Sequence, residues 1–167
     1  MSIITADFSR RLSGGASNAV GNASIGGVKS SEVVPSTTDG LFDTVSAAQA
    51  LTGSVEYRCI YLHNTNATDT MLATRAWISQ QTSSASSALA IGVGATIVNA
   101  TEPAIVNEGT APAGVTFSEP ASAAEGVALG GIPPGQHRAL WLRRTVTAGA
   151  INSSNDSFEL GFDCETV

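Results

Sequence analysis

The sequence has little charge, few histidines and cysteines, and no long apolar run. Only 13% of its 167 residues are charged, against roughly 25% in typical soluble domains. Eight basic and fourteen acidic residues give a net charge of -6, which disfavours direct nucleic-acid binding through a basic surface. No stretch approaches the apolar length of a membrane span, and the first residues do not resemble a signal peptide. We therefore expect a protein that is made in the cytoplasm and does not contact a membrane.

Residue types that carry catalysis or bind metals are also scarce. The two histidines, His63 and His137, lie at the ends of predicted strands, and no Gly-x-Ser-x-Gly nucleophile motif is present. Cys59 and Cys164 lie in separate predicted strands rather than in a ligand-spaced cluster, which predicts free thiols and disfavours zinc. We expect no enzymatic activity, no catalytic residue, no metal and no cofactor.

The sequence does contain short segments in which apolar and polar residues alternate, a pattern typical of half-buried strands. In residues 137–146, Leu140 and Leu142 fall on one face and Trp141 on the other. We also expect a hairpin between the first two predicted strands. The predicted strands cover residues 55–62, 71–78, 89–93, 96–98, 115–118, 137–146 and 158–164. This pattern predicts an all-β fold, an antiparallel β-sandwich or jelly roll of about seven to nine strands.

The N-terminal part differs from the rest, because glycines interrupt Ser- and Asn-rich sequence with little periodicity. We interpret residues 1–40 as an extended N-terminal arm and residues 41–167 as the sandwich domain. Such an arm could close an edge strand of its own sandwich or lie on a neighbouring subunit. A short helical turn is predicted before Gly53, and residues 99–114 are predicted to form an exposed, irregular excursion.

Two sets of large side chains are candidates for recognition. Four aromatic residues (Tyr57, Tyr61, Trp77 and Trp141) could form a sugar-binding platform, but they lie in apolar strand segments, which favours core packing. Arginine supplies seven of the eight basic residues, and its planar guanidinium suits carboxylate pairs between subunits or within one chain. The candidate interface residues are Arg10, Arg11, Arg58, Arg75, Arg138, Arg143 and Arg144.

Five short segments resemble small virion structural proteins of tailed bacteriophages. They are residues 11–15 (RLSGG), 41–43 (LFD), 57–61 (YRCIY), 132–136 (IPPGQ) and 140–145 (LWLRRT). The likeness runs from near residue 10 to the C-terminus, and it implies a structural role in the virion without specifying which part of the particle.

Among virion roles, the acidic balance, low charge and glycine-punctuated N-terminal segment favour a capsid decoration (cement) protein that stabilises the outer shell. Its expected partners are the major capsid protein and copies of itself in a homo-oligomer. A tail, neck or fibre-associated component is the first alternative. A carbohydrate-binding host-attachment module is the second.

Overall fold

The computed structural model describes residues 2–37, 39–153 and 156–165. Within these residues the chain forms seven strands and one short α-helix, with single 3-10 turns at Thr5–Asp7 and Gly21–Ala23. In chain order the elements are β1 (Phe8–Leu12), α1 (Ala47–Thr52), β2 (Ser54–Asn64), β3 (Met71–Gln80), β4 (Ser87–Val93), β5 (Val127–Ile132), β6 (His137–Val146) and β7 (Glu159–Glu165).

The strands form two antiparallel sheets that pack face to face. Sheet one has four strands in the order β1-β2-β6-β4, and sheet two has three in the order β5-β3-β7. The central pair of sheet one, β2 and β6, runs in continuous register from Ser54 opposite Val146 to His63 opposite His137. The all-β sandwich predicted from the sequence is therefore confirmed.

The connections differ from the sequence-based expectation in several places. β2 and β3 belong to different sheets, so the expected hairpin between them is wrong: residues 65–70 carry the chain across the sandwich instead. Of the two short segments expected around residues 96–98 and 115–118, the first is a turn and the second makes one isolated bridge, from Ser118 to Ile91. β5 was not predicted, because its sequence Val-Ala-Leu-Gly-Gly-Ile contains two glycines.

The main core lies between the two sheets. Ile60 and Leu62 of β2 and Leu140 and Leu142 of β6 face it from sheet one. Sheet two contributes Met71, Ala76, Ile78, Leu129 and Ile132, with Leu160, Phe162 and Cys164 partly buried against them. The alternation predicted in β6 and β7 therefore matches the faces that the strands bury.

Sheet one is covered on its other face as well. Cys59, Tyr61, Ala139 and Trp141 form a second buried cluster, against which Ile105, Val115 and Phe117 pack. Ile105 belongs to residues 99–114, the segment predicted as an exposed excursion, and Val115 and Phe117 follow it. Residues 99–114 are irregular and largely exposed, as predicted, but Glu102 and Ile105 attach them to sheet one, and with residues 115–117 they form a third layer. The consecutive apolar residues of β2 reflect this burial on both faces.

The N-terminal segment is built into sheet one. β1 pairs with β2 from Phe8 opposite Asn64 to Leu12 opposite Ile60. Leu12 is fully buried, and so are Ser13 and Ser24. Of the two alternatives for an arm, the described residues therefore follow the first, in which the segment closes the edge of its own sandwich. The structure does not confirm an arm that is separate from the domain.

Helix α1 ends before Gly53, as predicted, and its start at Ala47 is set by a capping residue that the sequence analysis did not identify. Ser46 is its N-cap: its hydroxyl accepts a hydrogen bond from the Gln49 amide, and the Gln49 side chain bonds back to the Ser46 amide. Gly53 ends the helix with φ of 81°, a conformation that glycine adopts at little cost. The helix places residues 47–53 at the end of the sandwich where β2 starts.

Candidate functional site

The arginines proposed as interface residues do not form one surface. Two of them, Arg58 and Arg144, form ion pairs within the chain. The side chain of Arg58 is fully buried. Its guanidinium donates to the main-chain oxygens of Leu41 (3.0 Å) and Tyr57 (3.1 Å). It also reaches the carboxylates of Glu108 at 2.6 Å and Asp43 at 3.5 Å. Arg58 therefore joins β2 to two distant loops within the same chain.

Arg144 lies beside Arg58 and completes an ion-pair network. It is paired with Glu56 across the β2–β6 ladder and donates to the main-chain oxygen of Asp43 at 2.8 Å. The guanidinium carbons of Arg58 and Arg144 lie 5.2 and 4.8 Å from the centre of the Phe42 ring, within the range of cation–π attraction. The network thus fixes residues 41–43 against the inner face of sheet one.

Three carboxylates of this network come close enough to raise the question of a cation site. Oxygen atoms of Asp43, Glu56 and Glu108 all lie within 4.8 Å of one another. However, the Arg58 guanidinium contacts Asp43 and Glu108, and the Arg144 guanidinium contacts Glu56. The two guanidinium groups already occupy the positions at which a cation would neutralise the carboxylates, so the arrangement is explained by the arginines.

The other five arginines are dispersed over the molecule. Arg11 and Arg138 donate to main-chain oxygens of their own chain, those of Ser31 and Thr96. Arg143 lies over the Phe117 ring at 5.3 Å. Arg75 is exposed on sheet two, within 3.4 Å of two carbonyl oxygens in residues 124–126. Arg10 is exposed on β1.

His63 and His137 face each other across the β2–β6 pair. The His137 ring contacts Tyr61 edge-on, with ring centres 4.8 Å apart, and His63 bonds to the main-chain oxygen of Gly135 at 3.1 Å. Burial, together with the nearby charge of Lys29, lowers the pKa of His137 to about 4. Burial also lowers the pKa of His63. Both imidazoles are therefore neutral at pH 7.

Glu102 anchors the irregular layer to sheet one. Its carboxylate accepts hydrogen bonds from the Trp141 indole (3.0 Å), the Ala95 amide (2.8 Å), and the amide and hydroxyl of Thr96 (3.1 and 2.6 Å). The Glu102 amide donates to the Tyr61 hydroxyl at 2.8 Å. Burial alone would raise the pKa of Glu102, but the hydrogen bonds outweigh it and the net pKa lies below its usual value. Such a saturated carboxylate stabilises structure.

The cysteines are free thiols, as predicted. Cys59 is fully buried behind the N-terminal segment, and burial strongly raises the pKa of its thiol. Cys164 is partly buried on the inner face of β7. A protonated, inaccessible thiol is a poor nucleophile. Cys59 therefore contributes to the packing of sheet one rather than to chemistry.

The two tryptophans have different environments. Trp141 is fully buried, as expected, although its indole donates to a carboxylate rather than to the main chain. Trp77 alternates with the core residues Ala76 and Ile78, so it lies on the outer face of sheet two, where it is half-buried. It covers Gly161 of β7: a Cβ atom there would come 2.2 Å from the indole ring. Core packing, expected for Trp77, is therefore not what the structure shows.

One end of the sandwich carries a surface with a single charged residue, and the sequence did not predict it. We define the end surface as residues 47–55, 106–109 and 147–151. Main-chain hydrogen bonds join these parts: Gly149 donates to Leu51, Ala150 to Ala50, and Tyr57 of β2 to Glu108. Glu108 is the one charged residue in these three ranges, and it pairs with Arg58.

Four large aliphatic side chains project from the end surface. Leu51 is 74% exposed, Val55 40%, Val106 89% and Ile151 80%. The sequence offered little signal for this surface, because the three segments are far apart in the chain and none is strongly apolar. An exposed aliphatic area with little charge is typical of a surface that another protein covers.

Comparisons with known proteins yield no match, whether with family models, curated proteins or solved structures. In the part of the chain that the structure describes, no helix has the length and apolar character needed to cross a membrane.

Proposed function

We propose that this chain is a structural protein of a tailed-phage virion, most specifically a capsid decoration protein that binds the outer shell through its end surface. The observation that carries the proposal is the end surface, which has Glu108 as its single charged residue and leaves Leu51, Val106 and Ile151 largely exposed. A protein whose role is contact needs such an area, and burying it on a partner is favourable at about 25 cal/mol per Å². The sequence likeness to virion proteins supplies the biological setting.

The test is to measure both location and contact. Gel densitometry of purified virions gives the copy number, which should be in the hundreds for a decoration protein and about a dozen or fewer for a neck or fibre component. A number in the lower range would favour the tail, neck or fibre alternative.

Binding of purified protein to undecorated shells tests the contact surface itself. The double variant Leu51→Lys with Ile151→Lys should lose most binding, because it places two charges in the apolar contact. The matched control is Ile4→Lys with Ile97→Lys, two positions that are 61% and 77% exposed but lie outside the end surface. Equal binding by both variants would exclude the end surface as the contact.

The position of Trp77 favours one second candidate, a carbohydrate-binding module. A half-exposed indole on the outer face of a sheet can stack on a sugar ring, whereas the buried Trp141 cannot. Glycan-array binding by the purified protein that is lost in Trp77→Ala, while the thermal unfolding transition is retained, would support this role over that of a shell protein.

A further inference from the structure

Sheet two has three strands, whereas sheet one has four. A groove lies beside β7, the edge strand of sheet two. The groove has a volume of about 250 Å³. We call it the β7 groove, and it is lined by Thr5, Phe8, Arg10, Leu160, Gly161 and Phe162. One wall is thus the edge strand β7, and the opposite wall is formed by Phe8 and Arg10 on the inner face of β1.

The other three edge strands, β1, β4 and β5, are covered by other segments or irregular, which hinders the addition of a further strand, but β7 is neither. β1 is covered by residues 32–34, since the Leu12 amide bonds to Glu32 and the Val34 amide bonds to Arg10. β4 is covered at Ile91, which exchanges two main-chain hydrogen bonds with Ser118. β5 is irregular, with Gly130 at φ of 80°. Within the described residues, β7 makes main-chain hydrogen bonds to β3 but to no second strand.

The side chains around the groove specify what an added strand would carry on its inner face. Phe8, Leu160 and Phe162 are only partly buried against the core, so apolar side chains entering the groove would complete their burial. In an added strand every second residue points this way. Arg10 is exposed at the rim of the groove, where a polar or acidic group could reach it.

The outer face next to β7 is acidic. Glu159, Asp163 and Glu165 alternate with the inward-facing residues and are exposed. Residues opposite each other on neighbouring strands interact most strongly, so an added strand is favoured if its outward residues are basic. Inward apolar and outward basic residues together define one alternating pattern.

A second copy of this chain does not supply that strand. Antiparallel pairing of two β7 strands about Phe162 would place Glu159 opposite Glu165, and pairing about Gly161 would place Glu159 opposite Asp163. Like charges in these positions are destabilising. The adjacent basic pair Arg10 and Arg11 is already part of sheet one, and Arg143 and Arg144 lie in the central strand β6.

We propose that the β7 groove binds an extended segment of a different protein, with alternating basic and apolar residues, which adds to β7 as the fourth strand of sheet two. Main-chain hydrogen bonds to the open edge would provide affinity, and the alternating side chains would provide specificity. This inference does not depend on the proposed virion role.

A tethered strand tests the proposal without requiring high affinity, because a short linker raises the effective concentration of the tail. The full chain is extended at its C-terminus by an Asn-Gly turn and an alternating Lys-Val strand long enough to reach Glu159, with lysines in register with the acidic residues. The control tail carries Glu in place of Lys. Amide hydrogen exchange of Leu160, Phe162 and Cys164 is measured by NMR in both proteins and in the unextended chain.

The Lys-Val tail should slow exchange of at least part of these amides by about tenfold or more, and the Glu-Val tail should not. Glu159→Lys combined with Glu165→Lys should reverse the preference, because both positions are exposed and adjoin the added strand. The matched control, Glu32→Lys with Glu119→Lys, changes the net charge equally at exposed sites elsewhere and should leave the preference unchanged.

Three outcomes would overturn the proposal. If neither tail protects the β7 amides from exchange, the edge does not accept a strand. If both tails protect β7 equally, the edge has no preference for a basic strand, and the proposed partner chemistry is wrong. Alternatively, the unextended chain shows protection of β7 that rises with protein concentration, which would identify a second copy of the chain as the occupant.

Discussion

Arg58 shows how much of the stability of this fold depends on one charged residue. Its guanidinium is fully buried and serves five acceptors from four separate segments, including Asn22 at 3.2 Å. A buried charge is stabilising only while its partners remain in place. Loss of Arg58 would leave the buried Leu41 carbonyl without a donor and the partly exposed Asp43 and Glu108 carboxylates without this cation.

We expect Arg58→Met to lower the free energy of unfolding by about 1–3 kcal/mol, because it leaves the buried Leu41 carbonyl without its donor and removes the ion pair with the partly exposed Glu108 carboxylate. The matched control is Arg10→Met, an exposed arginine whose loss should change stability by less than about 0.5 kcal/mol. Urea unfolding followed by tryptophan fluorescence measures both. Similar small losses for the two variants would show that the network contributes little.

The sequence indicated which side chains face inward, but not what they bind. Strand alternation placed Leu140 and Leu142 on one face of β6 and Trp141 on the other, as observed. The partners of polar residues were not predictable, because they are remote in the chain: Glu108 lies 50 residues from Arg58, and Glu102 lies 39 residues from Trp141. Loop conformation decides such pairs, and no local pattern encodes it.

At the scale of elements, the N-terminal segment is an integral part of sheet one. The hydroxyls of Ser13 and Ser24 donate to the Cys59 carbonyl at 2.8 and 2.7 Å, and the Tyr61 hydroxyl donates to the Gly27 carbonyl at 2.6 Å. Removing residues 8–30 would leave these buried groups of β2 without partners. The segment is therefore expected to fold with the domain rather than as a detachable arm.

Leu12 provides the test of this integration. Leu12→Ala should destabilise the protein by about 2–5 kcal/mol, because it opens a cavity in the core that β1 shares with β2. Ile4→Ala is the matched control, since Ile4 is 61% exposed and precedes β1. Thermal unfolding should distinguish them clearly. A Leu12 variant as stable as the control would restore the interpretation of the segment as an arm.

Strands with strong alternation were predictable, and the connections between them were not. β6 was expected over residues 137–146 and forms there, and β2 and β3 lie within two residues of their expected bounds. The hairpin between β2 and β3 was wrong because a turn-rich loop such as residues 65–70 can either reverse a strand or cross to the other sheet. β5 was missed because Gly130 and Gly131 weaken its strand pattern.

At the scale of the whole molecule, the layer that covers sheet one determines how stability responds to pH. That layer and the N-terminal segment surround His137 with groups that disfavour its charged form: Lys29 and His63 are the basic groups near it, and Tyr61 packs on its ring. No carboxylate contributes to the shift of its pKa. The native state therefore holds His137 neutral.

Because the native pKa of His137 is about 4 and its unperturbed value is 6.5, the unfolded chain binds more protons between these two pH values. The stability contributed by neutral His137 is fully present above pH 6.5 and is lost progressively as the pH falls towards 4. Since the ring is partly exposed and solvent screens it, we expect a loss of about 1–2 kcal/mol over this interval.

Urea unfolding at a series of pH values measures this loss, and His137→Gln should reduce the slope of the profile between pH 6.5 and 4, because glutamine does not titrate and only the smaller contribution of His63, whose pKa is also lowered, remains. The variant should keep the steeper loss below about pH 4, where carboxylates with a lowered pKa such as Glu102 become protonated. If the wild-type profile is already flat between pH 6.5 and 4, the irregular layer does not exclude solvent from the histidine pair.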